Sequence, residues 1–397
     1  MSVPASPRAP RLRATLRESE RVTPLELFFD LVFVLAITQC TALMVHDPTW
    51  ESVAKAMLLL GLLWWAWTGY AWLTSVVAPE DGGVRIAIFA AMAGLLVVAL
   101  CVPRAFDSEG TLFAAAYGVV RLGHIALFVI ASRDEPQLRH SVLGLAGGTF
   151  VGVSILVIGS FFEGEARFAI WSLALLLDVA EPYLFGSEGW RLAPSHFAER
   201  HGLIMIVALG ESIVAIGVAS TADIDAGVVA AATFGIVVAA ALWWLYFDVV
   251  ALVAEQRLVA AEPGRAQNEM ARDSYSYLHF PMIAGIVLVA LGIEQTIAHV
   301  HDPLELVPAS AALGGVALYL LAHVAFRYRN VHTLNRQRSL CALLLVALIP
   351  LAVEVEALYT LAGLAAIMVV LVVYELHVHG EARTRLRRAV AEGTLHG

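Results

Sequence analysis

Long apolar stretches alternate with short polar clusters along the whole chain. Each stretch is close to the roughly 20 residues that a helix needs to cross a bilayer. Cutting the chain at the polar clusters leaves twelve segments, at 25–45, 52–77, 84–102, 111–131, 141–161, 168–185, 200–219, 227–253, 276–298, 306–326, 340–353 and 357–376. The acidic sixth segment and the eleventh, interrupted by Pro350, depart most from a plain apolar span. The pattern predicts an all-α, polytopic membrane protein with about 12 transmembrane helices.

Composition agrees with this class. Hydrophobic residues make up 59% of the 397 residues and charged residues 15%, against roughly 45–50% and 25% in soluble domains. A disordered or nucleic-acid-binding protein is therefore excluded, despite the net charge of −9. The three cysteines lie in apolar segments with no short-spaced pair, which excludes a disulfide framework and a CxxC metal site. We expect no cofactor, no metal and no nucleic-acid partner.

The arginines predict an orientation. Of the 25 cationic residues, 21 lie in the tails and in alternate loops, whereas only Arg104 and Arg167 lie in the loops between them. Cytoplasmic loops accumulate Lys and Arg, so both termini are expected in the cytoplasm, with the chain in the cytoplasmic membrane. The first 24 residues lack an apolar core and a cleavage site, and they are predicted to be a retained basic tail that contacts anionic lipids.

The two halves of the chain carry similar short sequences. The matching pairs are 93–100 with 284–291, Trp64-Trp65 with Trp243-Trp244, and 122–126 with 321–325. Six spans per half give both copies the same orientation, so a 6+6 parallel internal repeat is predicted; coincidence in a Val/Ala/Leu-rich chain is the alternative. The expected organisation is a basic cytoplasmic tail (1–24), a first six-helix bundle (25–185), a cytoplasmic connection (186–199), a second six-helix bundle (200–376) and a basic cytoplasmic tail (377–397).

Acidic residues interrupt the first and sixth segments. Each ionisable side chain at the bilayer centre costs about 2.5–3.5 kcal/mol and needs a partner or a water-filled cavity. Glu26 and Asp30 lie four residues apart and share a helix face; a helix cap equally explains Glu26, but not the deeper Asp30. Asp178 lies about 15 Å into the sixth segment, near its middle, and Glu181 follows before Pro182. A plain helix end at Glu181 is the alternative.

The seventh segment opens with the most polar sequence, HFAERHG at 196–202. His196, Glu199 and Arg200 are expected to share one face of a helix start, with Arg200 paired to an acid of the first or sixth segment. The H-x-x-E-x-H spacing suggests a metal, but two imidazoles five residues apart do not share a helix face, so we predict none. Glu211 lies deeper in the same segment.

The fourth segment carries two basic residues, Arg121 and His124, which lie one helical turn apart. Arg121 needs an acidic partner, and the deep acids available are Asp30, Asp178 and Glu211. Imidazoles and carboxylates together are typical of proton relays. The alternative is a static ion-pair network that holds helices together, with His124 as a packing residue.

Three of these regions carry a family resemblance. TPLELFFDLVFV at 23–34, the neighbourhood of Asp178, HFAERHGL at 196–203 and LGES at 209–212 resemble the bacterial low temperature requirement A (LtrA) family over nearly the whole chain. The resemblance implies a multi-pass membrane protein and supplies no substrate. It singles out as motif positions Glu26, Asp30, Glu199, Arg200, Gly210 and Glu211.

The leading hypothesis is a transporter coupled to protons through Asp30, Asp178 and Glu211, with Arg121 or Arg200 as counter-ions. An anionic or amphipathic small molecule would bind between the halves, and its identity, like the oligomeric state, stays open. A lipid-modifying membrane enzyme using His196, Glu199 and His201 is one alternative, although no nucleophile motif supports it; a non-transporting cold-stress membrane protein is another. The candidate residues are Glu26, Asp30, Arg121, His124, Asp178, Glu181, His196, Glu199, Arg200, His201 and Glu211.

Overall fold

The computed structural model describes residues 21–391, apart from 78, 80, 81, 134, 185–188, 191 and 220–223. The described chain is helical. Its helices are α1 (Pro24–His46), α2 (Trp50–Val76), α3 (Gly82–Cys101), α4 (Gly110–Ala131), α5 (Pro136–Gly159), α6 (Gly164–Leu184), α7 (Pro194–Ala219), α8 (Ala226–Phe247), α9 (Val250–Ala260), α10 (Arg265–Met270), α11 (His279–Ala298), α12 (Leu306–Val331), α13 (Arg336–Ala352) and α14 (Ala357–Ala391). Short loops make successive long helices antiparallel.

The twelve predicted segments overlap α1–α8 and α11–α14, but two predicted boundaries fall inside helices. The expected connection 186–199 includes the start of α7 at Pro194, and the expected tail from 377 continues α14 to Ala391. Most of the predicted basic N-terminal tail, residues 1–20, and the last six residues lie outside the described residues.

Ten helical stretches of the described chain are long and apolar enough to cross a membrane. Helices α6 and α13 are not among them, because α6 carries Glu165, Arg167, Asp178 and Glu181 and α13 has only 17 residues. The outer surfaces of the bundle expose large apolar side chains, among them Ile86, Val119, Phe161 and Leu343. An apolar outer surface is what a bilayer requires, since lipid tails provide no hydrogen-bond partners.

Helix starts follow local sequence signals. Thr23 caps α1: its hydroxyl accepts from the Glu26 backbone N–H, while the Glu26 carboxylate accepts from the Thr23 N–H at 2.9 Å. This reciprocal capping box fixes Glu26 at the first turn, with Pro24 ahead of it, where its missing N–H is harmless. The cap therefore also orients the face that carries Asp30.

The helices of each half pack in the same order. In the first half α1 contacts α2 and α3, α3 contacts α4, α4 contacts α5, α5 contacts α6, and α6 returns to α2. In the second half α7 contacts α8 and α11, α11 contacts α12, α12 contacts α13, α13 contacts α14, and α14 returns to α8. The halves meet mainly where α1 contacts α7 and α11.

A π-helical segment, Ala271–Tyr277, joins α10 to α11. Its wide turns leave backbone carbonyls for side chains: the Trp64 indole donates to the Ser276 carbonyl at 2.7 Å. The Trp72 indole donates to the Ser276 hydroxyl at 3.0 Å. Segments of this kind are frequent at functional sites. Here the segment ties α2 of the first half to the start of α11.

Arg167 lies at the opposite end of the bundle from the start of α1. The sequence pattern predicts a loop position outside the membrane, but the side chain is buried. The guanidinium donates to the carbonyls of Phe162, Ala105, Asp107 and Ser160 at 2.8–3.2 Å. One side chain therefore ties together the loops that precede α4 and follow α5.

Candidate functional site

Most of the buried charged residues predicted from the sequence fall into two clusters, and Glu211 lies apart from both. We call the end of the bundle at which α1 starts the near end. The Arg200 cluster comprises Glu26, Asp30, His196 and Arg200, and the Arg121 cluster comprises Arg121, His124, Asp178 and Glu181. Glu211, about 26 Å along α7, belongs to the far half.

The Arg200 cluster joins the starts of α1 and α7. The Arg200 guanidinium contacts Asp30 Oδ1 at 2.6 Å and Glu26 Oε1 at 3.3 Å. His196 Nε2 lies 2.9 Å from the same Glu26 oxygen. All four side chains are at most 2% exposed. Arg200 therefore pairs with the acids of α1, one of the two helices that the sequence offered.

Helix α2 completes the Arg200 cluster. Arg200 Nη1 donates to the Thr74 hydroxyl at 2.9 Å, and the Trp67 indole donates to Asp30 Oδ1 at 2.8 Å. The Trp67 ring also lies 5.5 Å from the guanidinium carbon, within range of a cation–π contact. Short contacts from three helices make this cluster a packed ion-pair network.

The Arg121 cluster lies between α4, α5 and α6, and its contacts are longer. Arg121 Nη2 is 3.4 Å from Asp178 Oδ2 and 3.3 Å from the Thr149 hydroxyl. That hydroxyl donates to Glu181 Oε2 at 3.4 Å. Because α6 begins at Gly164, Asp178 lies about 21 Å along the helix, nearer its end than the sequence predicts.

Many polar atoms of the Arg121 cluster are unpartnered. Within the described part of the chain, both ring nitrogens of His124, Arg121 Nε, Asp178 Oδ1 and Glu181 Oε1 are buried without a hydrogen-bond partner, as is the nearby Thr68 hydroxyl. Among the described residues of the Arg200 cluster, only Asp30 Oδ2 and Arg200 Nε are buried without a hydrogen-bond partner. Buried polar groups in proteins are normally satisfied, so a concentration of open ones marks a place for water or a ligand.

Three glycines make room for the Arg121 cluster. A Cβ on Gly148 or Gly152 of α5 would collide with the carboxylates of Glu181 and Asp178, respectively. A Cβ on Gly69 of α2 would lie 2.9 Å from the His124 ring. None of these three glycines is among the residues predicted from the sequence. The available signal is GGTFVG at 147–152, in which two small residues four apart mark a groove on a membrane helix.

A cavity opens beside the Arg121 cluster. It encloses about 710 Å³ of space free of protein atoms, a volume that includes the open space at its mouth. Its polar floor is formed by Thr68, Arg121, His124 and Glu181, and its aromatic walls by Trp65, Trp72, Phe128 and Trp190. The rest of the lining is formed by Ser141, Leu145, Pro182, Asn268, Arg272 and Ser276. Residues of both halves therefore line it, and none of the Arg200 cluster does.

The remaining predicted site residues lie elsewhere. Glu199 is exposed and accepts from the Val22 N–H at 3.0 Å, while His196 contacts Glu26. His201 is buried, with Nδ1 2.8 Å from the Phe197 carbonyl. The lipid-modifying enzyme hypothesis relied on His196, Glu199 and His201, and these three side chains contact different partners. Glu211 accepts from the Thr38 hydroxyl at 2.6 Å, away from both clusters.

The second half holds a buried pair that was not predicted from the sequence. Arg338 contacts both carboxylate oxygens of Glu375 at 2.8 Å and lies 2.9 Å from His323 Nδ1. In the sequence, Arg338 is one of the loop arginines, because it precedes an apolar segment. Its partner Glu375 lies in the twelfth segment, where an acid just before a predicted tail is typical of a helix end.

These features define a class of protein. Ten apolar helical stretches with apolar outer surfaces enclose buried charges and a polar-floored cavity, as expected of a polytopic helical membrane protein. The family model described as "Bacterial low temperature requirement A protein (LtrA)" matches residues 21–373, and the chain belongs to this family. A Rhizobium meliloti (strain 1021) protein, described as uncharacterized, is 29% identical over 308 residues, which cover 74% of each chain.

Proposed function

We propose that this LtrA-family protein is a proton-coupled transporter of a small molecule in the bacterial inner membrane, with both termini in the cytoplasm. The cavity beside the Arg121 cluster is the substrate site. The observation that carries this proposal is the set of open polar atoms on Thr68, Arg121, His124 and Glu181 at the floor of an aromatic-walled cavity. Intramembrane ionisable residues that line a cavity mark substrate or ion pathways.

The architecture we propose has twelve spans, with α6 and α13 crossing the membrane alongside the ten apolar stretches. Asp178 and Glu181 of α6 are sheltered by α5 and α4, so this part of the helix exposes little charge to lipid, whereas Glu165 lies in the first turn of the helix. The identical packing order of the halves supports a 6+6 parallel duplication. So does a shared contact: a tyrosine hydroxyl of the fourth helix donates to a carbonyl of the second, Tyr117 to Leu62 and Tyr319 to Leu242.

Proton coupling in this proposal uses Asp178 and Glu181 rather than the full set expected from sequence. Asp30 is held by Arg200 and Trp67 in a packed network, and Glu211 is remote from the cavity. The Arg200 cluster then acts as the structural junction of α1, α2 and α7. Transport in such folds proceeds by rocking one bundle against the other around a central site.

Reconstitution tests the proposal. Proteoliposomes loaded with a pH-sensitive dye would be exposed in turn to small amines, amino acids and carboxylates, and proton flux would be recorded. We expect solute-dependent proton flux with the wild-type protein and with Glu165→Gln, whose side chain lies exposed on the same helix. We expect at least a tenfold loss with Glu181→Gln. Equal flux in both variants, or no solute-dependent flux across all three classes, would overturn the proposal.

A further inference from the structure

The charges of the Arg121 cluster do not balance. Asp178 and Glu181 are two carboxylates, whereas Arg121 is one guanidinium, and it lies closer to Asp178. Glu181 is 2% exposed, Oε2 accepts only the long Thr149 contact, and Oε1 lacks a partner among the described residues. A buried carboxylate without a counter-charge is costly, so either a proton or a positively charged ligand must meet Glu181.

The surroundings of Glu181 come from four elements besides its own helix. Helix α5 presents the non-titrating Thr149, and α2 presents Thr68, Trp65 and Trp72. The titratable and charged groups are Asp178 on its own helix, Tyr117, Arg121 and His124 on α4, and Arg272 and Tyr277 from the segment before α11.

The second cation of the cavity, Arg272, is already engaged. It contacts Asp273 at 2.8 Å, donates to the Pro182 carbonyl at 3.3 Å and lies over the Tyr183 ring at 3.9 Å. The Arg272 side chain is 13% exposed, so water can screen its charge. Arg272 therefore leaves the surplus negative charge at Glu181 in place.

The walls of the cavity suit a cation. Trp72 and Trp190 lie edge to face with ring centroids 5.7 Å apart, and Phe128 and Trp190 do the same at 5.1 Å. Aromatic faces attract organic cations through the ring quadrupole, and they also bury the apolar part of such a ligand. The walls therefore complement the charge at the floor.

We propose that the cavity binds an organic cation, such as a protonated or quaternary amine, in exchange for one proton on Glu181. Cation binding releases that proton, and proton binding expels the cation, so the charge of the site stays constant. That the cation is the transported substrate rests on the proposed function. The exchange of a cation for a proton in the cavity does not depend on transport. Of the two kinds of ligand expected from the sequence, anionic or amphipathic, it departs from the anionic one, because Arg121 is already paired with Asp178 and Glu181 is not.

Calorimetry on the full chain in lipid nanodiscs tests the exchange. The probes are benzyltrimethylammonium, benzyl alcohol as the neutral analogue and benzenesulfonate as an anion of similar size. We expect only the ammonium to bind tightly, with affinity rising up to tenfold per pH unit while Glu181 holds a proton. Titrations in buffers of different ionisation enthalpy should report about one proton released per cation bound.

Variants test whether Glu181 is the group that exchanges the proton. Glu181→Gln should weaken ammonium binding at least tenfold and abolish its pH dependence, whereas the exposed Glu165→Gln should change neither. If Glu181→Gln does not fold, Trp72→Leu should weaken binding several-fold and keep the pH dependence. Tighter binding of benzenesulfonate, or pH-independent ammonium binding, would overturn the inference. Cation binding with proton release but no flux across the membrane would overturn only the transporter proposal, and proton-coupled flux of anions alone would overturn only this inference.

Discussion

The Arg200 and Arg121 clusters contain the same groups in different states. Each has one arginine, one histidine and two carboxylates, all buried. In the Arg200 cluster the arginine contacts both acids, at 2.6 and 3.3 Å, and the histidine shares one of them. In the Arg121 cluster the ion pair between Arg121 and Asp178 is 3.4 Å long, and the histidine has both ring nitrogens open.

The difference shows that buried charge alone does not identify a binding site. A complete set of short contacts leaves nothing for a ligand to satisfy, which suits a junction between helices. Long contacts beside a cavity leave charge and hydrogen-bonding capacity that a ligand or proton can use. Three pairs of substitutions test this distinction.

Loss of the arginine should have the largest effect. Arg200→Met removes the counter-charge of two buried carboxylates, and we expect it to destabilise the protein by about 3–5 kcal/mol, as removal of one partner of a buried pair does. Arg121→Met should cost less than half of that, because water or protons from the cavity can compensate Asp178. Reversible denaturant titration in detergent measures both, with the largely exposed Arg104→Met as the control. Equal losses for the two buried arginines would contradict the distinction.

Removing one threonine hydroxyl from each cluster should have an intermediate effect on stability. Thr74→Val removes a 2.9 Å hydrogen bond to Arg200, and such bonds to charged groups contribute about 1.5–3 kcal/mol. Thr149→Val removes two contacts of 3.3 and 3.4 Å and should cost distinctly less. The same titration compares these near-isosteric changes. A greater loss for Thr149→Val would mean that the Arg121 cluster is the tighter network.

Neutralising the surplus acid should have the smallest effect on stability. Glu181→Gln removes an unbalanced charge and keeps an acceptor for Thr149, so we expect a change of less than about 1 kcal/mol, in the stabilising direction. Glu26→Gln weakens contacts to Arg200 and His196 and should destabilise the protein. Melting temperatures in detergent suffice here. A lower melting temperature for Glu181→Gln than for Glu26→Gln would show that Glu181 is a structural residue.

The helices were largely predictable from the sequence, because apolar segments, Pro24 and the Thr23 cap act locally. The sequence also offered suitable partners for the buried charges: Arg121 does pair with Asp178, and Arg200 with Glu26 and Asp30. The separation into a closed and an open cluster was not predictable, since it depends on distances between helices far apart in the chain.

Other features were not predicted because their sequence signals are weak or misleading. The spacing of Gly148 and Gly152 is typical of ordinary helix packing until the carboxylates that fill the groove are known. Glu199 shares the polar motif with Arg200, yet a rotation of about 100° per residue turns it outward to Val22. Arg167 looks like a loop residue because its partners are carbonyls, which no side-chain pattern reveals.

The hydrogen bonds from the Arg167 guanidinium to four backbone carbonyls limit how the first half can move. Any parting of α4 from α5 and α6 at the far end would strand a buried guanidinium and the carbonyls it now satisfies. We therefore expect the far ends of α4, α5 and α6 to move together as one unit.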